Sequence, residues 1–280
     1  MNRRVWLAGF TVAAVAAGGA VTTAVRSQAQ PAAATAPAAA RGPSQVATGY
    51  LTDAMMPSSL SLLPPPPAAG SGAMKRDEES AKAAVALHGG PRWTQATQDA
   101  ILAFPAAAET FSCAVDTRIT ETDTPRLYVL MRRMMSDVGR SVRPTKVKYQ
   151  RARPFTVNGS PQCTPELDTV LRADGSYPSG HSAIGWAWAL VIAEAAPDRA
   201  EQVLARGRAF GQSRVVCNVH WLSDTEEGRV MAAGAVARLH AEAAFRDDLA
   251  AAKAELAKAR AAGLKPTRNC ATEAAQLAAG

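Results

Sequence analysis

Alternating runs of β-branched and aromatic residues, the signature of a half-buried strand, are missing from this sequence. Its apolar residues recur instead at helical intervals, as in Leu127, Leu130, Met134, Met135 and Val138. Hydrophobic residues make up 48% of the 280 positions and aromatics only 5%. Alanine, the strongest intrinsic helix former, is the largest part of that apolar content. The length allows one large domain or two small ones. The pattern predicts a single all-α domain.

Helical segments are expected from near Glu78 to the Gly89-Gly90 pair, over "WTQATQDAILAF" up to Pro105, and after Pro125. Further helices are expected over Ser182–Glu194, over "DRAEQVLARGRAFGQSR" with Asp198 as N-cap, and over "SDTEEGRVMAAGAVARLHAEAAF" with Ser223 and Glu226 as a capping box. The last, "RDDLAAAKAELAKARAAG", carries i,i+4 charge pairs and a glycine stop. "SLLPPPPAAGSG" must be extended and is expected to wrap the domain surface. No internal repeat is apparent.

The first residues differ in kind. "MNRR" followed by "VWLAGFTVAAVAAGGAVTTAV" reads as a secretory signal peptide with cleavage after Ala29, the alternative being an uncleaved membrane anchor. An Ala/Pro-rich linker follows over 30–47. Loss of Arg3, Arg4 and Arg26 with the signal would take the formal charge from +7 to +4. That suits a small anionic substrate. Lys/Arg runs with interleaved aromatics are lacking, so nucleic acid is not an expected partner. Four cysteines, Cys113, Cys163, Cys217 and Cys270, fit two disulfides in an exported chain, with free buried thiols as the alternative; none forms a C-x-x-C pair that would suggest zinc. No apolar run after residue 30 is long enough to cross a bilayer.

The chemistry gathers around two of the four histidines. His220 is followed four residues later by Asp224, a spacing that lets a carboxylate fix the ring tautomer and leave the second nitrogen nucleophilic. His181 follows Ser179-Gly180 at a helix start, where free backbone N–H groups can cradle an oxyanion. Lys146, Arg153 and Arg214 add three cations suited to phosphate oxygens. Together they make a kit for phosphoryl transfer, with one histidine attacking phosphorus and the other protonating the leaving oxygen.

The spacing Lys146, six residues, Arg153-Pro154; then Pro178-Ser179-Gly180-His181; then Ser213-Arg214, five residues, His220, three residues, Asp224 matches the three-part signature of the type 2 phosphatidic acid phosphatase (PAP2) superfamily. "KVKYQRARPF", "GSYPSGHSAIGWAWALVIAE", "RGRAFGQSRVVCNVHWLSD", "LLPPPP" and "ARLHAEAAF" resemble one branch, the bacterial class A non-specific acid phosphatases, over roughly residues 48–260. The resemblance implies a helical bundle of the PAP2/vanadium haloperoxidase type spanning 48–262, with a tail over 263–280. It implies His220 as a nucleophile forming a phosphohistidine, Asp224 as its orienting carboxylate, and His181 as general acid and later activator of water. Lys146, Arg153 and Arg214 would bind phosphate oxygens, Ser179 and the Gly180 amide would complete the pocket, and Ser213 would be a lesser ligand or support. It implies no metal and no cofactor. The expected activity is that of a periplasmic or secreted acid phosphatase on nucleotides and aryl or sugar phosphates, with homo-oligomers left open and no stable membrane association. The alternatives are a vanadate-dependent haloperoxidase of the same fold, a lipid phosphate phosphatase, and an anion-binding protein with a dead site. If Arg153 and Arg214 meet on one phosphate, Cys163 and Cys217 become neighbours, which leaves Cys113 with Cys270. His88, His240, Lys148 and Arg151 are not expected in the site; Lys148 and Arg151 read as a solvated face. Tyr149 and Tyr177 are candidates for the substrate entrance.

Overall fold

The computed structural model describes residues 47–280. The expected signal over 1–29, and all of the linker but its last residue, lie outside the described residues. Within them the chain is all-α, with no strand.

The helices are α1 (Ser59–Leu62), α2 (Gly72–Val85), α3 (Pro91–Asp99), α4 (Ser112–Val115), α5 (Pro125–Ser141), α6 (Arg143–Tyr149) and α7 (Pro154–Asn158). They continue as α8 (Asp168–Ala173), α9 (Gly180–Ala195), α10 (Ala200–Val216), α11 (Leu222–Leu239), α12 (Ala243–Ala261) and α13 (Cys270–Ala278). Proline occupies the first turn of α3, α5, α6 and α7, where its missing N–H is not needed. Gly263, in the left-handed region at φ +69°, ends α12 as expected.

Helix α9 is the centre. It packs against α5, α10 and α11, and α12 packs on both α5 and α9. The expected helical stripe of α5 faces inward: Leu127, Leu130, Met134 and Val138 are buried with Ile184, Trp188, Val191 and Ile192 of α9. Each such aliphatic side chain contributes about 1.5–3 kcal/mol on leaving water. The indole N–H of Trp188 donates to the Met131 carbonyl at 2.9 Å, so burial leaves no orphaned donor.

The cysteines pair as Cys163–Cys217 and Cys113–Cys270, the connectivity expected above. The first ties the loop after α7 to the end of α10. The second ties α4 to α13, which lies against α3. No helix among the described residues is long and apolar enough to cross a membrane.

Four local expectations fail, the first being that the helix expected over residues 223–245 ends at Leu239, with Phe245 in α12. Asp198 does not cap α10: it sits in a 3-10 turn, Pro197–Arg199, where Arg260 grips both its oxygens at 2.8 and 2.5 Å. The ion pair outcompetes the cap. Ser223 and Glu226 do not form a capping box, because α11 begins at Leu222 and the carboxylate serving its first turn is that of Asp224, which accepts the Trp221 N–H at 2.9 Å. Helix α3 stops at Asp99 rather than at Pro105, and this frees the Ala100 carbonyl for a side chain of the site.

Candidate active site

The site is built where three helix ends meet: the start of α9, the end of α10 and the start of α11. The Ser179 N–H donates to the Asp224 carbonyl at 2.9 Å, which locks the starts of α9 and α11 together. A Cβ on Gly228 would lie 2.6 Å from the Ser179 carbonyl oxygen, so α11 can approach α9 this closely only with glycine there.

Ser179 is the N-cap of α9. Its hydroxyl accepts the Ser182 N–H at 3.2 Å and the Ser182 hydroxyl at 2.9 Å. The next residue, Gly180, opens the helix, so its N–H is one of the α9 donors without an intrahelical acceptor.

His220 is buried just before α11. Its Nδ1 lies 3.2 Å from Asp224 Oδ2, and its Nε2 lies 3.0 Å from Arg153 Nη1. Arginine can only donate, so Nε2 accepts and the proton sits on Nδ1, facing the carboxylate. Burial and the nearby charges of Arg153, Lys146 and Arg214 hold the His220 imidazole well below its ordinary pKa. It is neutral and its Nε2 lone pair is available.

Asp224 is fully buried and accepts from four directions: His220 Nδ1, the Trp221 N–H, the Ser176 hydroxyl and Arg151 Nη1, the last at 2.6 Å. Burial pushes its carboxyl up from the ordinary range, and the Arg151 guanidinium and the Ser176 and Trp221 donors oppose that.

Arg151 departs from expectation. It does not face solvent: its side chain is 9% exposed and bridges Asp224 Oδ1 and Asp77 Oδ2, at 2.6 and 2.7 Å. Asp77 in turn accepts both the N–H and the hydroxyl of Ser223. A sequence signal for this existed. Arg153 has extended backbone, and Arg151 stands two residues before it, the spacing at which side chains of an extended segment share a side.

The other cations gather as expected. Arg153 is 3% exposed and its Nε donates to the Leu171 and Asp174 carbonyls. Lys146 is 7% exposed, and burial, with Arg153 beside it, lowers its pKa to about 8. Both reach Asp174 Oδ2, each at 3.0 Å. Arg214 is 1% exposed, yet its Nε and Nη1 find no hydrogen-bond partner among the described residues. Burial, with Arg153 adding to it, lowers its pKa to about 9. An unpaired buried guanidinium is costly, and proteins retain one where an anion completes it.

His181 is partly exposed at the first turn of α9, and its Nε2 lies 3.0 Å from the Ala100 carbonyl. A carbonyl only accepts, so Nε2 carries the proton and Nδ1 is the position that gains or gives one. Burial and the Arg214 charge hold this ring, too, well below its ordinary pKa.

Ser213 is turned away from that cluster. Its hydroxyl donates to Asp99 Oδ2 at 2.6 Å and accepts from Arg92. Asp99 also receives Arg206, which pairs with Glu273 of α13. Ser213 therefore supports the α3–α10 contact behind Arg214. Tyr177 is buried with its hydroxyl on the Pro64 carbonyl, so the polyproline stretch packs behind the loop that carries Ser179. Lys148 and His240 stay out of the cluster: Lys148 lies over the Tyr149 ring and His240 pairs with Glu194.

The chain matches the model of the PAP2 superfamily over residues 127–245. It is 40% identical over 210 residues to a non-specific acid phosphatase of Providencia stuartii, covering 75% of this chain and 85% of that protein. It is also 40% identical to an acid phosphatase of Zymomonas mobilis, over 68% of this chain and 72% of that protein. The same identity holds to a non-specific acid phosphatase of Salmonella typhimurium, over 69% of this chain and 78% of that protein.

Proposed function

The chain belongs to the PAP2 superfamily, among the non-specific acid phosphatases, and from that premise we propose that it hydrolyses small phosphomonoesters through a phosphohistidine on His220, without a metal. The observation that carries this reading is the buried, unpartnered guanidinium of Arg214 beside a neutral His220 whose Nδ1–H is held by Asp224.

The phosphoryl group of the substrate is bound by Arg214, Arg153, Lys146 and the N–H groups that open α9. His220 Nε2 attacks phosphorus and the bond to the leaving oxygen breaks. The proton for that oxygen comes from His181 Nδ1. The imidazolium-like phosphohistidine keeps its Nδ1–H on Asp224. His181, now neutral, takes a proton from water; the resulting hydroxide attacks phosphorus, the N–P bond breaks, and His220 and inorganic phosphate are regenerated. The cations stabilise charge on the equatorial oxygens, the role a metal plays in other phosphoryl-transfer sites. Nucleotides and aryl or sugar phosphates are the substrate class. Two disulfides, together with an N-terminal sequence that reads as a signal peptide, support action outside the cytoplasm, in the periplasm or beyond.

The test is p-nitrophenyl phosphate turnover by the purified chain in excess EDTA, from acidic to neutral pH. Activity that survives EDTA, is greatest at acidic pH and drops by about 10⁴-fold or more in His220→Ala is the expected result. An alkaline denaturing quench of the wild type during turnover of ³²P-labelled substrate should trap label on His220, since the N–P bond survives base and is cleaved by acid. EDTA-sensitive activity, or full activity in the variant, rejects the mechanism.

A further inference from the structure

Two of the three phosphate-site cations are already spoken for by the protein's own carboxylate. Asp174 Oδ2 takes both Lys146 Nζ and Arg153 Nη2, each at 3.0 Å, while the Asp174 side chain is 47% exposed and open to the solvent that brings substrate. Arg214, the third cation, has no such partner for its Nε and Nη1. The pocket thus holds an anionic oxygen on one side and an unmet guanidinium on the other.

Resting on the phosphatase reading above, we propose that Asp174 is a specificity-determining residue: an internal anion that incoming phosphate must displace from Lys146 and Arg153. A single carboxylate oxygen satisfies two cations. A phosphoryl group offers three oxygens and up to two charges, so it can take those two and Arg214 together, and it wins the exchange. Singly charged, planar anions such as carboxylates gain nothing over Asp174 and are turned away. The selectivity is a difference of two anion affinities, with the competitor built into the chain.

The backbone around Asp174 is arranged so that only its side chain need move. Arg153 Nε holds the Leu171 and Asp174 carbonyls, Lys146 Nζ holds the Gly175 carbonyl, and the Ser176 N–H donates to the Arg151 carbonyl. A Cβ on Gly175 would lie 2.7 Å from the Lys146 carbonyl oxygen, so the loop is pressed against α6. Rotation about the Asp174 Cα–Cβ bond swings the carboxylate into solvent and leaves both cations in place, still fixed by these main-chain acceptors.

The experiment is calorimetric titration of the full chain with inorganic phosphate and, separately, acetate, for wild type, Asp174→Asn and Asp174→Ser, alongside p-nitrophenyl phosphate kinetics. The expected result is phosphate binding tightened by about three- to tenfold in both variants, the scale of losing one or two partly exposed ion pairs. KM falls in parallel, kcat moves by less than about twofold, and acetate becomes a measurable inhibitor. Unchanged or weakened phosphate binding in the variants overturns the proposal and makes Asp174 an organiser of the cations. Unfolding of both variants does the same. If the wild type binds no phosphate, the phosphatase reading itself fails, and that outcome is read before any variant is compared.

Discussion

Arg153 Nη1 lies 3.0 Å from His220 Nε2, so the nitrogen proposed to attack phosphorus rests against a cation proposed to bind the phosphate. This contact excludes a proton from Nε2 and commits the Nδ1–H to Asp224. It also couples proton state to anion binding.

Proton uptake on binding is the first consequence. Burial and neighbouring cations hold both His181 and His220 well below the ordinary value. A bound phosphate cancels part of the Arg214 and Arg153 repulsion, so the His181 pKa rises toward the working pH of an acid phosphatase. Phosphate titrations at mildly acidic pH in buffers of different ionisation enthalpy should show uptake of a proton, and His181→Asn should abolish it. Buffer-independent enthalpies would contradict this.

Stability of the unliganded protein should fall with acidity. A histidine whose folded pKa is depressed has its full stabilising effect above the unfolded value of about 6.5, where both states are neutral. As pH drops through that value the unfolded chain takes up protons that the folded one does not. Each histidine then removes up to about 1.4 kcal/mol per pH unit. Urea midpoints at pH 7.5 and 5.5 should decrease accordingly, and His181→Asn should flatten the slope by about one proton.

Arg214→Met should separate stability from function. Replacing an unpaired buried guanidinium with an apolar side chain of similar reach removes a desolvated charge, so the unliganded melting temperature should rise. Phosphate should no longer raise it, and kcat/KM should fall by about 10³-fold or more. A lower melting temperature would mean the charge has partners of its own.

Arg151 separates two buried carboxylates, Asp77 and Asp224. Arg151→Met should leave them facing each other, costing roughly 3–5 kcal/mol in urea unfolding. Arg151→Lys should keep the charge, lose the two-sided bridge, and lower kcat by about 10–100-fold with KM little changed, because it acts on the orientation of His220 through Asp224. An unaltered kcat in the folded lysine variant would make Arg151 purely structural.

Gly228→Ala should pry α11 from α9. The new methyl meets the Ser179 carbonyl oxygen, a rigid main-chain atom. The expected loss is about 1–3 kcal/mol, with kcat/KM falling more than at a neutral helix glycine because the Ser179–Asp224 link carries both histidine segments. Comparison with Gly72→Ala, where nothing lies within 4 Å, supplies the control.

Much of this protein is legible along the chain. Helical periodicity marked α5, because a buried stripe imposes the same spacing on any sequence that forms it, and i,i+4 charge pairs with a glycine stop marked α12. The histidines, the three cations and Asp224 were recognisable because phosphoryl chemistry restricts which side chains can serve. What the chain alone could not reveal was which polar groups face one another across helices. Arg151 looked like a solvated neighbour of Arg153 until α2 brought Asp77 to it. Ser213, one residue from Arg214, proved to point the other way, into the Arg92–Asp99–Arg206 cluster. Asp198 looked like a cap until α12 offered Arg260. Asp174 carried no motif, and its bridge between Lys146 and Arg153 exists only once the loop after α8 is brought against α6. Local order follows from backbone periodicity and side-chain type, which the sequence carries in full. Partner choice among buried charges is decided by long-range packing, since desolvation makes each charge take whichever opposite group the fold brings within reach.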